Sequence, residues 1–503
     1  MANTKEILSK AKQSWAFQWL KEPKHFFIAG KSTPSKSTQK WKVINPSTQE
    51  LLCEVPVADK NDVDAAVASA FQAFQSGVWS ESARRFRREA LQRIGAIIRD
   101  HAEELATLES LSNGKLFSEA YIDDLPESAD VFDYYAGWID KFYGETVPVD
   151  PGFINYTRKE PVGVCALIVP WNFPLLLACW KIAPALAMGN TVIVKPSEYT
   201  PLSVLRLAEL IREKAQLPDG VFNVVVGDAE TGRLITEHPQ IQKVSFTGST
   251  GVGKKVLAGA AQSNLKTVTL ELGGKSPNIL FSDLPDLEAA IERSCTAMFS
   301  HKGEKCSEPT RILIQDTIYD KVVAGLVERA NQIRLGDAFQ EGVDQGPQAH
   351  EAHYKKVLSY IELGQTEGAR LVCGGVAESV NKDGKGFFVK PTIFADVLPH
   401  MRIAQEEIFG PVLVAIRFKT EEEAIQIANQ THYGLAAGLW TSDLSRGHRV
   451  AAKLDSGMVF VNRYGCYDFA SPFGGFKQSG WGKEMAIHSL EAYTKTKSVW
   501  IKL

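Results

Sequence analysis

This sequence predicts an α/β protein built on parallel sheets covered by helices, arranged in two units. Between Pro161 and Ser249, apolar runs of strand length alternate with segments of helical spacing. From about Lys275 the alternation begins again. A chain of 503 residues also exceeds the usual size of one hydrophobic core, so two or three domains are expected.

In the first unit residues 162–169 read as a buried strand, a turn follows at 170–174, and residues 175–188 have helical spacing. Gly189-Asn190 is the matching C-cap signal. Residues 191–194 are the next strand, 202–216 a helix, and 222–226 and 243–246 further strands. Residues 267–270 and 278–281 bracket a Gly-Gly segment. In the second unit residues 311–314 read as a strand and 320–334 as a helix. Residues 495–503 alternate charged or small residues with apolar ones around Val499, Trp500 and Ile501, a final strand whose edge needs covering.

Residues 161–180 carry no formal charge over twenty positions, the length of a membrane span. Gly163, Pro170, Asn172 and Pro174 interrupt that stretch, so strand, turn and helix is the better reading. The amino-terminal segment mixes Lys, Glu and Gln and lacks the apolar core of a secretion signal. A formal net charge of -3 gives no reason to expect nucleic acid or an anionic membrane as partner, which leaves a small molecule. Seven scattered cysteines, odd in number and without a CxxC pair, argue against a disulfide framework or a metal site. A reducing, cytoplasmic setting is expected.

The chemistry-bearing residues lie in three separated segments. Cys306 follows Phe-Ser-His-Lys-Gly-Glu-Lys, Glu271 sits in Leu270-Glu271-Leu272-Gly273-Gly274-Lys275, and Asn172 in Pro170-Trp171-Asn172-Phe173-Pro174. A thiol that attacks a carbonyl needs ionisation, a donor for the developing oxyanion, and a base to bring in water if the acyl group is to be released. Cysteine, amide and carboxylate match those needs. Taken singly, each has a plainer account: a small core residue, a turn former, a solvated charge.

With these three segments in place the chain resembles the aldehyde dehydrogenase superfamily over nearly its whole length. Further carriers are Lys195-Pro196-Ser197-Glu198, Phe246-Thr247-Gly248-Ser249-Thr250, Glu406-Glu407-Ile408-Phe409-Gly410-Pro411 and Pro472-Phe473-Gly474-Gly475-Phe476-Lys477. The resemblance implies a Rossmann-like NAD-binding domain (30–138 and 162–273) after an extension (1–29), a catalytic domain (274–485), and a β arm (139–161 and 486–503) that makes a homodimer or homotetramer. It also implies Cys306 as nucleophile, Asn172 as oxyanion donor, Glu271 as the base of a hydrolytic rather than acyl-transferring enzyme, and Lys181 and Glu484 as a proton relay. Lys181 and Glu484 equally suit a structural ion pair.

For the cofactor, Gly248-Ser-Thr-Gly251-Val-Gly253 follows a strand and opens a helix, where backbone N–H groups meet phosphate. A tight turn needing glycine is the alternative. The resemblance places the NAD pyrophosphate at Ser249, beside Gly248 and Val252. It adds Val169, Pro170, Trp171, Ser197, Gly227 and Leu272 as contacts, Glu407 on the nicotinamide ribose and Phe409 near the nicotinamide. Lys195 and Glu198 sit just past a strand's carboxyl end, where parallel sheets bind ligands. A carboxylate there suits ribose hydroxyls and opposes a 2'-phosphate, favouring NAD over NADP; Glu198 is otherwise a cap for the helix at Pro201.

By resemblance, Phe173, Leu177, Trp180, Tyr464, Tyr467 and Phe473 line the substrate tunnel. Aromatic walls accept chains, rings and cations. Asp124 and Glu127, three apart, share a helix face and suit an amine-bearing substrate, or else form a helix start with Asp124 as N-cap. The chain's ending looks like that of gamma-glutamyl-aminobutyraldehyde dehydrogenases, for which Arg463 or Lys305 are candidates for an anionic end. Lys305 departs from the common pattern; beside the nucleophile it either lowers the thiol pKa or points outward. The substrate expected is an amine-derived aldehyde, with a broad aliphatic, aromatic or betaine aldehyde as rival, and a non-catalytic binding protein on the same fold as a third reading.

Overall fold

The computed structural model describes residues 4–503. Its larger sheet has eight strands in the order Lys31–Thr33, Phe26–Ile28, Phe222–Val224, Thr191–Lys195, Val164–Ile168, Lys243–Thr247, Thr267–Glu271 and Gly480–Trp481. The five central strands are parallel and the added edges antiparallel. Val164–Ile168 and Thr191–Lys195 are buried at every position, as strands covered on both faces must be, which is why they read as unbroken apolar runs. The chain order reverses between Val164–Ile168 and Lys243–Thr247. At such a switch point the connections leave in opposite directions and open a crevice beyond the carboxyl ends of the strands.

A second sheet of seven strands runs Arg370–Cys373, Thr392–Ala395, Val412–Phe418, Arg311–Gln315, Pro277–Leu280, Ala436–Trp440 and Met458–Val461, parallel except at its first pair. A third sheet pairs Thr494–Lys502 with Phe153–Pro161 over nine residue pairs and ends on Thr146–Val147. Its apolar residues Trp500, Ile501, Phe153 and Ile154 are exposed.

Two strands fall outside the boundaries the sequence suggested. Phe26–Ile28, in the expected extension, and Gly480–Trp481, in the expected second unit, both pair into the first sheet. The second crossing is tied down by hydrogen bonds: Leu272 N donates to Ser479 O (2.8 Å), and Ser479 Oγ donates to Gly273 O (2.6 Å). Among the described residues, no helix is long and apolar enough to cross a membrane, and all seven cysteines are free.

Candidate active site

A cavity of about 710 Å³ lies where the switch point of the first sheet meets the second unit. Asn172, Glu271 and Cys306 all line it, although Asn172 and Cys306 are 134 positions apart in the chain. Each arrives on a segment whose ends are fixed. Asn172 occupies the turn between Val164–Ile168 and the helix Pro174–Ala187, whose first turn has Pro174 in the position where a missing N–H costs nothing. That helix lacks a cap of its own; Glu109 Oε1, from the helix Ala102–Asn113, accepts from Leu175 N at 2.7 Å instead. Glu271 ends the strand Thr267–Glu271. Cys306 follows a turn in which His301 (φ 48°), Lys302 (φ 65°) and Gly303 (φ 72°) are all left-handed. Gly303 is required there, because a Cβ would stand 2.4 Å from the carbonyl carbon of Gly410.

The reacting groups are kept dry and poorly partnered. Both Glu271 carboxyl oxygens are buried without a hydrogen bond. Burial, then the charge of Glu484, pushes this carboxyl well above its ordinary range, against Lys181 and Lys483. Burial also pushes the Cys306 thiol up, with Glu407 and Glu271 adding to the effect. Lys305 supplies no relief. It neither lowers the thiol nor points outward, but turns along the cavity wall, donating to Ser300 Oγ (2.6 Å) and pairing with Glu308 (3.3 Å). Asn172 Nδ2 donates one hydrogen to Glu304 O (2.9 Å), which leaves its second N–H for a ligand. Behind Glu271, Lys181 bonds Glu484 directly, and Ser245 Oγ accepts from Lys181 (3.1 Å) and donates to Glu484 (3.3 Å).

On the cofactor side the cavity is lined by Pro170, Trp171, Gly248, Ser249, Leu272, Glu407 and Phe409. Ser249 is the N-cap of the helix Thr250–Gln262, its Oγ accepting from Val252 N at 3.4 Å. The N–H groups of Thr250 and Gly251 are thereby left without helical partners at the positive end of the helix dipole. Glu407 accepts from Gly274 N (3.0 Å) and crowds Gly273, where a Cβ would stand 2.3 Å from it. Lys195 and Glu198 pair at 3.6 Å, and the helix at Pro201 has no side-chain cap, so the capping account of Glu198 does not hold. Val169, Lys195, Ser197, Glu198, Gly227 and Val252 lie outside the cavity lining. Val169 N bonds Lys195 O (3.0 Å), Ser197 Oγ accepts from Tyr199 N (3.3 Å), a Cβ on Gly227 would meet Thr231, and Val252 is exposed on its helix.

On the substrate side Phe173, Leu177, Trp180, Tyr467 and Phe473 form the wall. Trp180 Nε1 is a buried donor with no partner. Tyr464 stands behind this wall, its hydroxyl donating to Ser307 O (2.9 Å). Asp124 lines the cavity but is occupied: its Oδ2 accepts from buried Lys115 Nζ at 2.5 Å, and Lys115 also pairs with Glu109 at 3.3 Å. Nor is Asp124 an N-cap. Residues 117–136 form one continuous helical run with a π-turn at Ala120–Asp124 and no capping hydrogen bond at Asp124. The carboxylates facing the cavity without such a partner are Asp123 and Glu127, with Glu119 accepting from His301 N (2.9 Å). Burial, reinforced by Asp123 and Asp130, pushes Glu127 up to about 7. Arg463 is exposed, and Arg293 lines the cavity in its place.

Sequence reasoning missed Glu119, Asp123, Arg293, His301 and Lys356. Asp123 and Glu127 stand four apart, the spacing that shares a helix face, so that signal was present. For Lys356, which donates to Glu407 O at 2.9 Å, no local pattern exists.

The pattern of the Aldehyde dehydrogenase family matches residues 33–499. Aldehyde dehydrogenase 1A1 of Equus caballus is 48% identical over 489 residues, covering 97% of this chain and 96% of that protein. The gamma-glutamyl-gamma-aminobutyraldehyde dehydrogenase of Burkholderia cenocepacia superposes with a TM-score of 0.94 at 43% identity, covering 98% of this chain and 99% of that one. The NAD+ complex of the Bacillus cereus aldehyde dehydrogenase gives the same TM-score, identity and coverage. With a matching pattern over nearly all its length and a cysteine, carboxylate and amide converging on one cavity, this chain belongs to the aldehyde dehydrogenase family.

Proposed function

We propose that the protein oxidises an amine-derived aldehyde, such as gamma-glutamyl-aminobutyraldehyde or an omega-aminoaldehyde, to its carboxylic acid with NAD as oxidant. The observation that carries this reading is the shared cavity: Cys306, Glu271 and Asn172 meet at its inner end, while Glu119, Asp123 and Glu127 face its outer end. The groove fits NAD by its donor set. It offers helix N–H groups for a pyrophosphate, Glu198 and Glu407 for ribose hydroxyls, and Trp171 and Phe409, packed edge to face at 5.3 Å, for a flat ring. When bound, NAD supplies the hydride acceptor.

Cys306 Sγ attacks the aldehyde carbon. The oxygen then carries charge beside Asn172 Nδ2 and the Cys306 backbone N–H, which strengthen as that charge grows and so favour the transition state over the ground state. After oxidation the acyl group is held on Cys306 as a thioester. Glu271, made more basic by burial, takes a proton from water as the water attacks once it is ionised, and the acid leaves. Lys181 and Glu484 carry that proton away from Glu271. The exposed apolar strands of the third sheet support a homodimer or homotetramer, and the seven free cysteines support a cytoplasmic setting.

NADH production against a panel of aldehydes tests the reading. Higher specificity constants for aldehydes with a distal ammonium than for neutral ones of equal length are expected. Equal or reversed constants would transfer the assignment to a broad aliphatic or aromatic substrate.

A further inference from the structure

We propose that the buried pair Lys302–Glu304 is a positioning element that holds the oxyanion donor Asn172 and the Phe409 side of the cofactor groove in one register with Cys306. The proposal rests on the roles given above to Asn172, Cys306 and Phe409.

Glu304 is two residues before the nucleophile and almost wholly buried, and three separate contacts converge on it. Its carbonyl accepts the Asn172 amide at 2.9 Å, fixing which N–H faces the cavity. One carboxyl oxygen accepts from Ala349 N (3.0 Å) and lies 3.7 Å from His353 Nε2. The same His353 nitrogen lies 2.6 Å from Phe409 O, and the His353 ring packs tilted against Trp171 with ring centroids 4.9 Å apart. The other carboxyl oxygen meets Lys302 Nζ at 2.8 Å.

Lys302 closes the circuit. Its Nζ donates to Asn113 O (2.7 Å) and Asn113 Oδ1 (3.0 Å), while Asn113 Nδ2 donates to Trp171 O (2.8 Å), the residue before Asn172. The carbonyl of Lys302 accepts from Gln348 Nε2 at 3.2 Å. Thus the nucleophile turn, the Asn172 turn and the segment beside Phe409 are joined through two buried charges that do not line the cavity. The turn is also left-handed at His301 and Lys302, a conformation that persists only where the surroundings over-determine it. Ordinary tertiary packing would require no such charges: a buried pair seldom adds net stability over apolar neighbours, whereas leaving one member alone is costly.

The test uses Lys302→Met, Glu304→Gln and the double variant Lys302→Gln/Glu304→Gln, whose two amides can satisfy each other and the Asn113 and Ala349 partners. Steady-state kcat and KM are measured on folded enzyme at saturating NAD. Cofactor-free hydrolysis of p-nitrophenyl acetate, which needs the thiol, the oxyanion donor and the deacylating base but no NAD, is measured alongside, together with the melting temperature. Each single variant should lower kcat and the ester rate by about 10- to 100-fold, as misplacement of a reacting group does. Aldehyde KM should change much less, and the double variant should recover most of the loss. Singles that melt earlier with kcat unchanged, or a double variant no better than the worse single, would overturn the proposal. If a single variant does not fold, Glu304→Asp replaces it: a kcat loss of the same kind is expected, and an unchanged kcat counts against the pair. Absent activity in the unmodified enzyme on every aldehyde would instead refute the functional reading on which the proposal rests.

Discussion

The two ends of the cavity are built on opposite plans. At the inner end Glu271 has no hydrogen bond to either carboxyl oxygen and Asn172 keeps one N–H free. At the outer end several charges are spent, Asp124 on Lys115, Lys305 on Glu308, and Glu119 on the backbone N–H of His301, which leaves Asp123 and Glu127 without partners. A few unspent groups in a dry site act on the reacting atoms directly, where electrostatic interactions are large. The carboxylates left over, Asp123 and Glu127, border solvent and act through a screened field. Inner-end changes should therefore cost orders of magnitude, and outer-end changes only small factors.

Cys306→Ala sets the upper limit. Dehydrogenase turnover should fall by about 10⁴-fold or more, since no other residue can take the acyl group, while NAD binding persists because its contacts lie on other segments. Isothermal titration with NAD beside an activity assay checks both halves, and normal turnover in the folded variant would remove Cys306 from the mechanism.

Glu271→Gln should cost about 10²- to 10⁴-fold in steady-state turnover while a first burst of NADH remains, because oxidation precedes deacylation. Loss of the burst as well would mean that the carboxylate also activates the thiol. The raised Glu271 pKa gives a pH signature: the unmodified enzyme should speed up as pH rises and the carboxyl ionises, and the Gln variant should lose that limb. The stability sign is opposite. Above the ordinary value near 4.5 the unfolded chain has released this proton while the folded one retains it, so stability falls as pH rises until the folded group also ionises. Thermal melts of the two proteins should therefore diverge as pH rises through that range, the unmodified enzyme losing stability that Glu271→Gln keeps.

The same contrast decides what could be read from the chain. Asn172, Glu271 and Cys306 each lie on a short connection next to a buried strand, and buried strands are legible as apolar runs with turn residues at their ends. Strand placements such as Thr191–Lys195 and Thr494–Lys502 were legible for that reason. The outer wall is assembled by tertiary contacts that leave no local mark. Asp124 is spent on Lys115 nine residues away, Arg293 reaches the carbonyls of Tyr464 and Gly465, and the π-turn at Ala120–Asp124 rotates the acidic face of the helix. The strands Phe26–Ile28 and Gly480–Trp481 were assigned elsewhere for a related reason, since a three- or two-residue edge strand carries too little pattern to reveal its sheet.

Glu198 lies between these extremes. It is half-buried and pairs with Lys195 at 3.6 Å, and in the proposed binding of NAD a 2'-phosphate would bring like charge beside it. NAD should be preferred over NADP, and Glu198→Gln should narrow the ratio of their specificity constants by about tenfold, equivalent to about 1.4 kcal/mol. A clear NADP preference in the unmodified enzyme would overturn the assignment.

The smallest effect expected is at the outer end, and it sharpens the contrast most. Asp123 and Glu127 border the cavity without the partner that neutralises Asp124, so they carry whatever preference exists for a distal ammonium. Asp123 is exposed and Glu127 half-buried, and charge pairs in such settings typically contribute about 0 to 1 kcal/mol, roughly a factor of one to five. Asp123→Asn/Glu127→Gln should therefore lower the specificity constant for 4-aminobutanal relative to pentanal by no more than about that factor, and less in high salt. Asp124→Asn should leave the ratio unmoved while destabilising the fold, because it strips a partner from buried Lys115. A pH series isolates Glu127. Burial holds its pKa up to about 7, so it is neutral below that value and charged above, and the preference for the cation should grow as pH rises through 7. If the ratio is flat across that range and unchanged in the double variant, the acids of this helix face do not select the substrate. The outer wall would then be a scaffold for the aromatic residues beside it, and selection would pass to Phe173, Trp180, Tyr467 and Phe473.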